Sequence, residues 1–316
     1  MPTISVPTEK WTGKVKEVTL GGGSRKKVTV GGETALPFLH FEGSIPHRPR
    51  IAIDIQDVPP EDWSPVLAGV WAEAWSVGPG EWAKRAVDAG ADIVALTLVS
   101  ADPNGANTGA REAVAAVKQV LDAVDVPLIV YGPGVAEKDN EVLVAVADAT
   151  SGQGLALGLC EDKNYRTIAA TCIANGHVAI ANSPIDINLA KQLNILLMDM
   201  GVPADRILID PTTGALGYGL EYTYSVMERL RLAALQGDAM TSMPMIVNPG
   251  QEAWRFKEAK TAEGVPAEWG DLEERGVAWE TLTAISLLHA GANILVMRHP
   301  RAVAQVKQAI DKLMSA

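Results

Sequence analysis

Cysteine is the first scarcity. The chain has two, Cys160 and Cys172. Two thiols cannot build a disulfide framework or hold an iron–sulfur cluster, which takes about four. Basic charge is the second. Lys and Arg number 27 against 38 Asp and Glu, a formal net charge of −11. That argues against nucleic acid as a main ligand, because phosphate binding needs basic clusters. Long apolar runs are also missing. None approaches the ~18–20 residues of a membrane span, and the start, MPTISVPTEKWTGK, has no apolar signal-peptide core. A cytoplasmic protein is expected.

Several catalytic signatures are absent as well. There is no Gly-x-Ser-x-Gly elbow and no Walker glycine–lysine loop. The histidines are His40, His47, His177, His289 and His299. None is spaced with another histidine or acid as zinc motifs require.

What the chain does have is apolar residues, 47% of 316, ample for a large core. From residue 51 onward, short apolar runs alternate with amphipathic stretches. The runs are 51–55, 93–98, 127–131, 154–159, 177–181, 206–209, 244–247 and 294–297. They lack polar alternation, as expected of strands buried on both faces. Between them lie helical stripes such as Val303, Val306, Ile310 and Leu313. Eight strand–helix units in series predict a (β/α)8 TIM barrel over 51–316. A doubly wound sheet is the alternative, but no Gly-x-Gly-x-x-Gly follows the first strand. Residues 1–50 read as an N-terminal extension with a β-hairpin, its strands at 14–20 and 26–30 around Gly21-Gly22-Gly23.

In such a barrel, function sits at the C-terminal ends of the strands. That rule nominates Asp54, Gln56, Ser100, Asp102, Tyr131, Cys160, Asn182, Ser183, Asp210, Thr212, Thr213, Gly214, Asn248, Arg298 and His299. Asp54 reads slightly better as a cap of local N–H groups, whereas Asp210 reads equally as cap or ligand group. His177 reads as structural at the barrel bottom. Cys160 reads as a reactive thiol or, more often, as a small buried hydrophobe. The stretch 250–276 is the longest insertion on this face and carries Trp254 and Trp269. Eight Trp against three Phe suggest a partner interface, formed by the top face together with the extension. No predicted strand ends in lysine, which disfavours a Schiff-base aldolase.

The run from Asp210 to Arg231, DPTTGALGYGLEYTYSVMERLR, is distinctive. With the stretches 52–58, 82–87, 180–185 and 246–297, it resembles the small subunit of corrinoid iron–sulfur proteins and its archaeal counterpart, the delta subunit of the acetyl-CoA decarbonylase/synthase complex. The resemblance covers nearly the whole chain. It implies a barrel paired in a heterodimer with a large subunit that holds a [4Fe-4S] cluster and a cobalamin domain, the corrinoid lying at the subunit interface. It further implies a methyl carrier between methyltetrahydrofolate, through a separate methyltransferase, and acetyl-CoA synthase, with a reductive activator as a further partner. The barrel would cap the corrinoid rather than catalyse. Two cysteines suit a cluster placed in the partner only. The cobalamin-anchoring Asp-x-His-x-x-Gly is absent here. The expected corrinoid-facing residues are Asn182, Asp210, Thr212, Thr213, Gly214, Asn248 and, unless it pairs with an acid, Arg298. The competing expectation is a stand-alone pterin-dependent methyltransferase.

Overall fold

The eight apolar runs form eight parallel strands in a computed structural model that describes residues 7–315. They are β3 (Arg50–Gln56), β4 (Ile93–Thr97), β5 (Leu128–Tyr131), β6 (Ala156–Cys160), β7 (Val178–Asn182), β8 (Ile207–Asp210), β9 (Met245–Val247) and β10 (Ala292–Met297). Each pairs with its sequence neighbour, and β10 closes onto β3, giving a (β/α)8 TIM barrel. A hairpin, β1 (Glu17–Leu20) with β2 (Val28–Gly31), precedes it.

Helices wrap the barrel. They are α1 (Pro65–Trp75), α2 (Pro79–Asp88), α3 (Ala110–Ala123), α4 (Ala136–Ala149), α5 (Tyr165–Asn175), α6 (Ile187–Asp199), α7 (Leu220–Leu235), the short α8 (Pro249–Ala253) and α9 (Lys257–Lys260), α10 (Leu272–His289) and α11 (Pro300–Met314). Caps fix several starts. The Asp186 carboxylate accepts from the Asn188 and Leu189 N–H groups at 2.7 and 3.1 Å, so α6 begins at Ile187. Replacing Asp186 by alanine is expected to cost about 1 kcal/mol, read as a lower urea midpoint with an unchanged slope.

Side chains alternate along each strand. Ile51, Ile53 and Ile55 face the helix shell. Ala52, Ile129, Ile180, Leu208, Ile246 and Val296 face the barrel interior. The hairpin is the floor of that interior, because Val18, Leu20, Val28 and Val30 pack into the same cluster. Its backbone bonds to chain just before three strands: Gly21 N–H to Gly154 O at 2.8 Å, Lys26 N–H to Asp125 O at 2.9 Å, and Lys16 N–H to Ser242 O at 2.6 Å. A buried ion pair, Arg231 to Glu33 at 3.0 Å, helps fasten α7 to the extension. The first six residues of the extension lie outside the described residues.

This corrects the expected interface. The hairpin closes the end of the barrel opposite the strand C-termini, so the top face and the hairpin cannot form one surface. Half of the tryptophans pack on one another inside the fold. Trp63, Trp75 and Trp82 meet edge to face with centroids 5.4–6.0 Å apart, and Trp71 lies beside Trp82. All eight are buried or half-buried. Four of them build the contact between α1, α2 and the barrel wall, while Trp254 stacks on His299 and Trp269 lies under Arg275.

Candidate functional site

The inward alternation of each strand carries one step past the apolar layers and ends in a polar ring. Asp54 lies two residues before the end of β3, Thr97 closes β4, Tyr131 β5, Asn182 β7 and Asp210 β8, and Asn248 and Arg298 follow β9 and β10. On β6 the wall is completed by Leu159. Asn182 and Asp210 are register partners, as are Thr97 and Tyr131. The ring surrounds a cavity of about 330 Å³, open at the barrel mouth. Gly132–Gly134, Thr212, Thr213, Gln251 and Glu252 form its upper wall.

Asp210 is the most constrained group. It is 2% exposed. Its carboxylate accepts from Thr212 N–H at 2.9 Å and from the Asn248 amide at 3.2 Å. Burial pushes its carboxyl up to about 6, opposed by Thr212 N–H and the Asn182 and Asn248 amides. Thr212 has φ 62°, a left-handed conformation that costs a β-branched residue about 1–3 kcal/mol. Several hydrogen bonds hold it there. Its hydroxyl donates to Ser183 O at 2.7 Å, Asn182 donates to that hydroxyl at 3.3 Å, and Thr223 donates to Thr212 O at 3.0 Å. Thr213 supports the next strand, its hydroxyl accepting from Asn248 N–H at 2.8 Å.

Asp54 is not a cap. Its carboxylate pairs with Arg298, Nη2 at 2.7 Å and Nε at 2.8 Å, and accepts from the Thr97 hydroxyl at 3.2 Å. Burial holds its carboxyl above the ordinary value, and Arg298 counteracts the rise. The guanidinium lies 4.3 Å from the Trp63 ring centroid. Arg298 therefore pairs with an acid and does not line the cavity. Gly214 does not line it either. A Cβ there would sit 2.5 Å from Gly219 O, so its lack of a side chain serves the fold of its own loop. Asn182, Asp210, Thr212, Thr213 and Asn248 do meet at the cavity.

Sequence reasoning nominated Tyr131 at the end of its strand but missed Thr97 as a member of the ring. Tyr131 is 8% exposed, and its hydroxyl, beside the Asn248 amide, finds no acceptor. Burial, Asp210 and Asp54 hold that phenol well above its ordinary value, so it stays a donor. His299 is turned away from the cavity. Its Nδ1 caps α11 by accepting from Arg301 N–H at 3.1 Å, its ring stacks on Trp254, and burial pulls it down to about 4. Cys160 and Cys172 are buried, and burial raises both thiols, Cys172 to about 12. A reactive thiolate at Cys160 is thereby disfavoured. His177 is buried at the barrel bottom, accepting from Leu155 N–H at 3.2 Å. Among the described residues, no cluster of three His, Cys, Asp or Glu is arranged to hold a metal ion. No helix there is long and apolar enough to cross a membrane.

Comparison with known proteins places this geometry. Residues 17–311 match the family described as CO dehydrogenase/acetyl-CoA synthase delta subunit. The acetyl-CoA decarbonylase/synthase complex subunit delta 1 of Methanosarcina thermophila is 39% identical over 324 aligned positions, covering 96% of this chain and 72% of the relative. The subunit delta of Archaeoglobus fulgidus is 40% identical over 320, covering 96% and 70%. Among solved structures, dihydropteroate synthase of Coxiella burnetii in complex with pteroic acid superposes with a TM-score of 0.61 at 12% identity, covering 95% of this chain and all of that one. The Xanthomonas albilineans enzyme with 4-aminobenzoic acid gives 0.59 at 16%, covering 85% and 94%. Those two likenesses concern the fold alone. The family match and the relatives run across almost the whole sequence, and the chain belongs to the CO dehydrogenase/acetyl-CoA synthase delta subunit family.

Proposed function

We propose that this chain is the barrel subunit of a corrinoid methyl-carrier protein within an acetyl-CoA decarbonylase/synthase system. In this reading its mouth caps a cobalamin held by a larger partner, which also carries the [4Fe-4S] cluster. The polar ring at the mouth carries the proposal. Small-molecule pockets span roughly 300–1,000 Å³, and a cavity of about 330 Å³ is too small to take in a whole corrin. It fits a seat for the edge of a larger planar ligand lying across the mouth. The residues suit such a ligand: Asp210, Asn182, Asn248 and Thr213 offer donors and acceptors, and the Tyr131 hydroxyl is buried without an acceptor. A corrin's amide fringe needs both kinds of group.

The corrinoid, when bound, supplies a cobalt centre that takes up and gives away a methyl group. This chain's residues position and shield. Asp210, held by Thr212 N–H and Asn248, fixes one wall, and Leu159 and Pro133 keep water from another. The methyl donor would be methyltetrahydrofolate or a methanopterin, acting through a separate methyltransferase, and the acceptor acetyl-CoA synthase. A reductive activator and a cytoplasmic setting complete the reading. The barrel mouth must separate from the cofactor to admit donor and acceptor.

Co-purification tests it. The chain is expected to bring down a subunit containing cobalt and iron, and to contain neither stoichiometric iron nor sulfide when isolated. A chain that stays monomeric beside that subunit at micromolar concentration overturns the proposal. Gln251 is exposed on the cavity rim, so Gln251→Trp is expected to narrow the mouth while changing stability by no more than about 0.5 kcal/mol. Methyl transfer in the assembled complex should slow at least about tenfold, about 1.4 kcal/mol in barrier.

One observation favours a second reading. The cavity is of a size for a single bicyclic heterocycle, and Asp210 lies beside the Asn182 and Asn248 amides, a set that could hold a pterin ring. A stand-alone pterin-dependent methyltransferase would turn over methyltetrahydrofolate without the partner. No turnover by the isolated chain is expected, and robust turnover would favour this alternative.

A further inference from the structure

The charge balance of the barrel-mouth cavity is one-sided. Three carboxylates line it, Asp54, Asp210 and Glu252, and no Lys, Arg or His does so. Arg298 answers Asp54 from outside the lining, and Glu252 turns to the exposed Arg255 at 3.5 Å. Asp210 has no cation. Only neutral groups meet it, Thr212 N–H and the Asn248 and Asn182 amides, and a carboxylate with about four lone-pair sites retains acceptor capacity. Tyr131, 92% buried, lines the same cavity, and its buried hydroxyl, beside the Asn248 amide, has no acceptor. A buried, unmade hydrogen bond is costly, so a ligand that supplies the missing partners gains affinity.

These two groups define what fits. An anion would meet the uncompensated charge of Asp210 in a poorly solvated space, where repulsion is strong. An ammonium group would satisfy Asp210 and leave the Tyr131 hydroxyl unpaired. A carboxamide satisfies both. We propose that the barrel-mouth cavity is an anion-excluding receptor for a neutral primary carboxamide, its C=O accepting from Tyr131 and its NH2 donating to Asp210. The source rests on the corrinoid reading above: the amide is one of the carboxamide arms on the rim of the corrin ring. Tyr131 and Asp210 are then specificity-determining residues, selecting an amidated corrinoid over one whose arms are free carboxylates.

The test uses the full chain and small probes, so it does not depend on the partner subunit. Nicotinamide and nicotinate have the same shape and differ in amide against carboxylate. Titration at pH 8, followed by calorimetry or NMR, is expected to show saturable nicotinamide binding, with nicotinate at least about tenfold weaker. Tyr131→Phe should weaken nicotinamide about three- to tenfold, with a thermal melt confirming the fold. Asp210→Asn removes the charge and should bring nicotinate within about threefold of nicotinamide. Absence of nicotinamide binding, equal affinity for the two probes, or unchanged nicotinamide affinity in folded Tyr131→Phe overturns the assignment. If neither variant folds, the preference of the unmodified chain for the amide decides. Any of these failures would leave the co-purification result standing, which separates this inference from the methyl-carrier reading.

Discussion

Replacing Arg298 by methionine is expected to lower the free energy of unfolding by about 3–5 kcal/mol. Arg298 and Asp54 are 8% and 4% exposed, and two guanidinium nitrogens converge on one carboxylate oxygen at 2.7 and 2.8 Å. Truncating the cation leaves the carboxylate buried with only the Thr97 hydroxyl at 3.2 Å. It also removes the group stacked over Trp63 at 4.3 Å, so packing and charge are lost together. The effect carries a pH signature. Burial already raises the Asp54 carboxyl, and Arg298 is the strongest influence against that rise. Without Arg298 the carboxyl rises further. An acid raised in the folded state contributes stability that is present at low pH and lost as pH climbs through the folded value. The penalty of Arg298→Met should therefore be smaller at pH 5 than at pH 8. Denaturant melts at the two pH values check this. A second replacement, Asp54→Leu, should recover most of the loss, since an apolar pair of similar size often serves as well as a buried ion pair. A penalty below about 1 kcal/mol that ignores pH would mean that the pair does not brace the barrel mouth.

The eight-strand architecture was legible because buried parallel strands advertise themselves. A run such as 93–98 has Thr97 as its one polar residue and no turn former, and helix stripes separate it from the next run. The ends of strands were harder to read. The polar ring follows a rule of two that the sequence does contain: Ile129 to Tyr131, Ile180 to Asn182, Leu208 to Asp210 and Ile246 to Asn248 are each two residues apart and share a face. Counting by two from the last inward apolar residue, Ala95 on β4, would have found Thr97. Reading the residues just after each strand instead picked Ser100, whose hydroxyl bonds to Asp57 and Thr108 rather than facing the cavity.

What no local pattern could show was pairing across the barrel. Asp54 and Arg298 are 244 positions apart, and only closure of β10 onto β3 brings them together. The tryptophans misled for a related reason. Composition marks large amphipathic rings but not whether they are covered, and here α1 and α2 cover one another's. The hairpin was visible as two β-like runs with a glycine turn. Its position under the barrel, rather than beside the mouth, depends on contacts with Gly154, Asp125 and Ser242 that lie far along the chain.

Glu280 is where a single substitution should reach both the insertion and the end of β10. It is fully buried on α10. Its carboxylate accepts from the Trp254 indole N–H at 2.6 Å and from the backbone N–H groups of Arg298 and His299. Gly276, one turn earlier, leaves room for the Trp254 ring, which a Cβ there would meet at 2.5 Å. Trp254 in turn stacks on His299. One carboxylate thus ties the start of the 250–276 insertion to the strand end that carries Arg298. Glu280→Ala strands three buried N–H donors and opens a void. At about 1–3 kcal/mol for each unsatisfied group, with overlap between them, a loss of about 3–5 kcal/mol is expected. Proteolysis within 261–270 should accelerate as the insertion loosens. Glu280→Gln separates charge from hydrogen bonding. Burial pushes the Glu280 carboxyl up to about 7, against an ordinary value of 4.5. The folded chain therefore holds this proton where the unfolded chain has released it, and the associated stability is present below pH 4.5 and fades as pH rises toward 7. His299, held down to about 4 by burial, works in the opposite direction below about pH 6.5. Its contribution is common to both proteins and cancels in their difference. The unmodified chain should thus lose more stability between pH 5 and pH 8 than Glu280→Gln does, by about 2–3 kcal/mol for a shift of this size. Parallel pH profiles for the two proteins would show that Glu280 is ionised throughout and that its three hydrogen bonds, not burial, set its proton affinity.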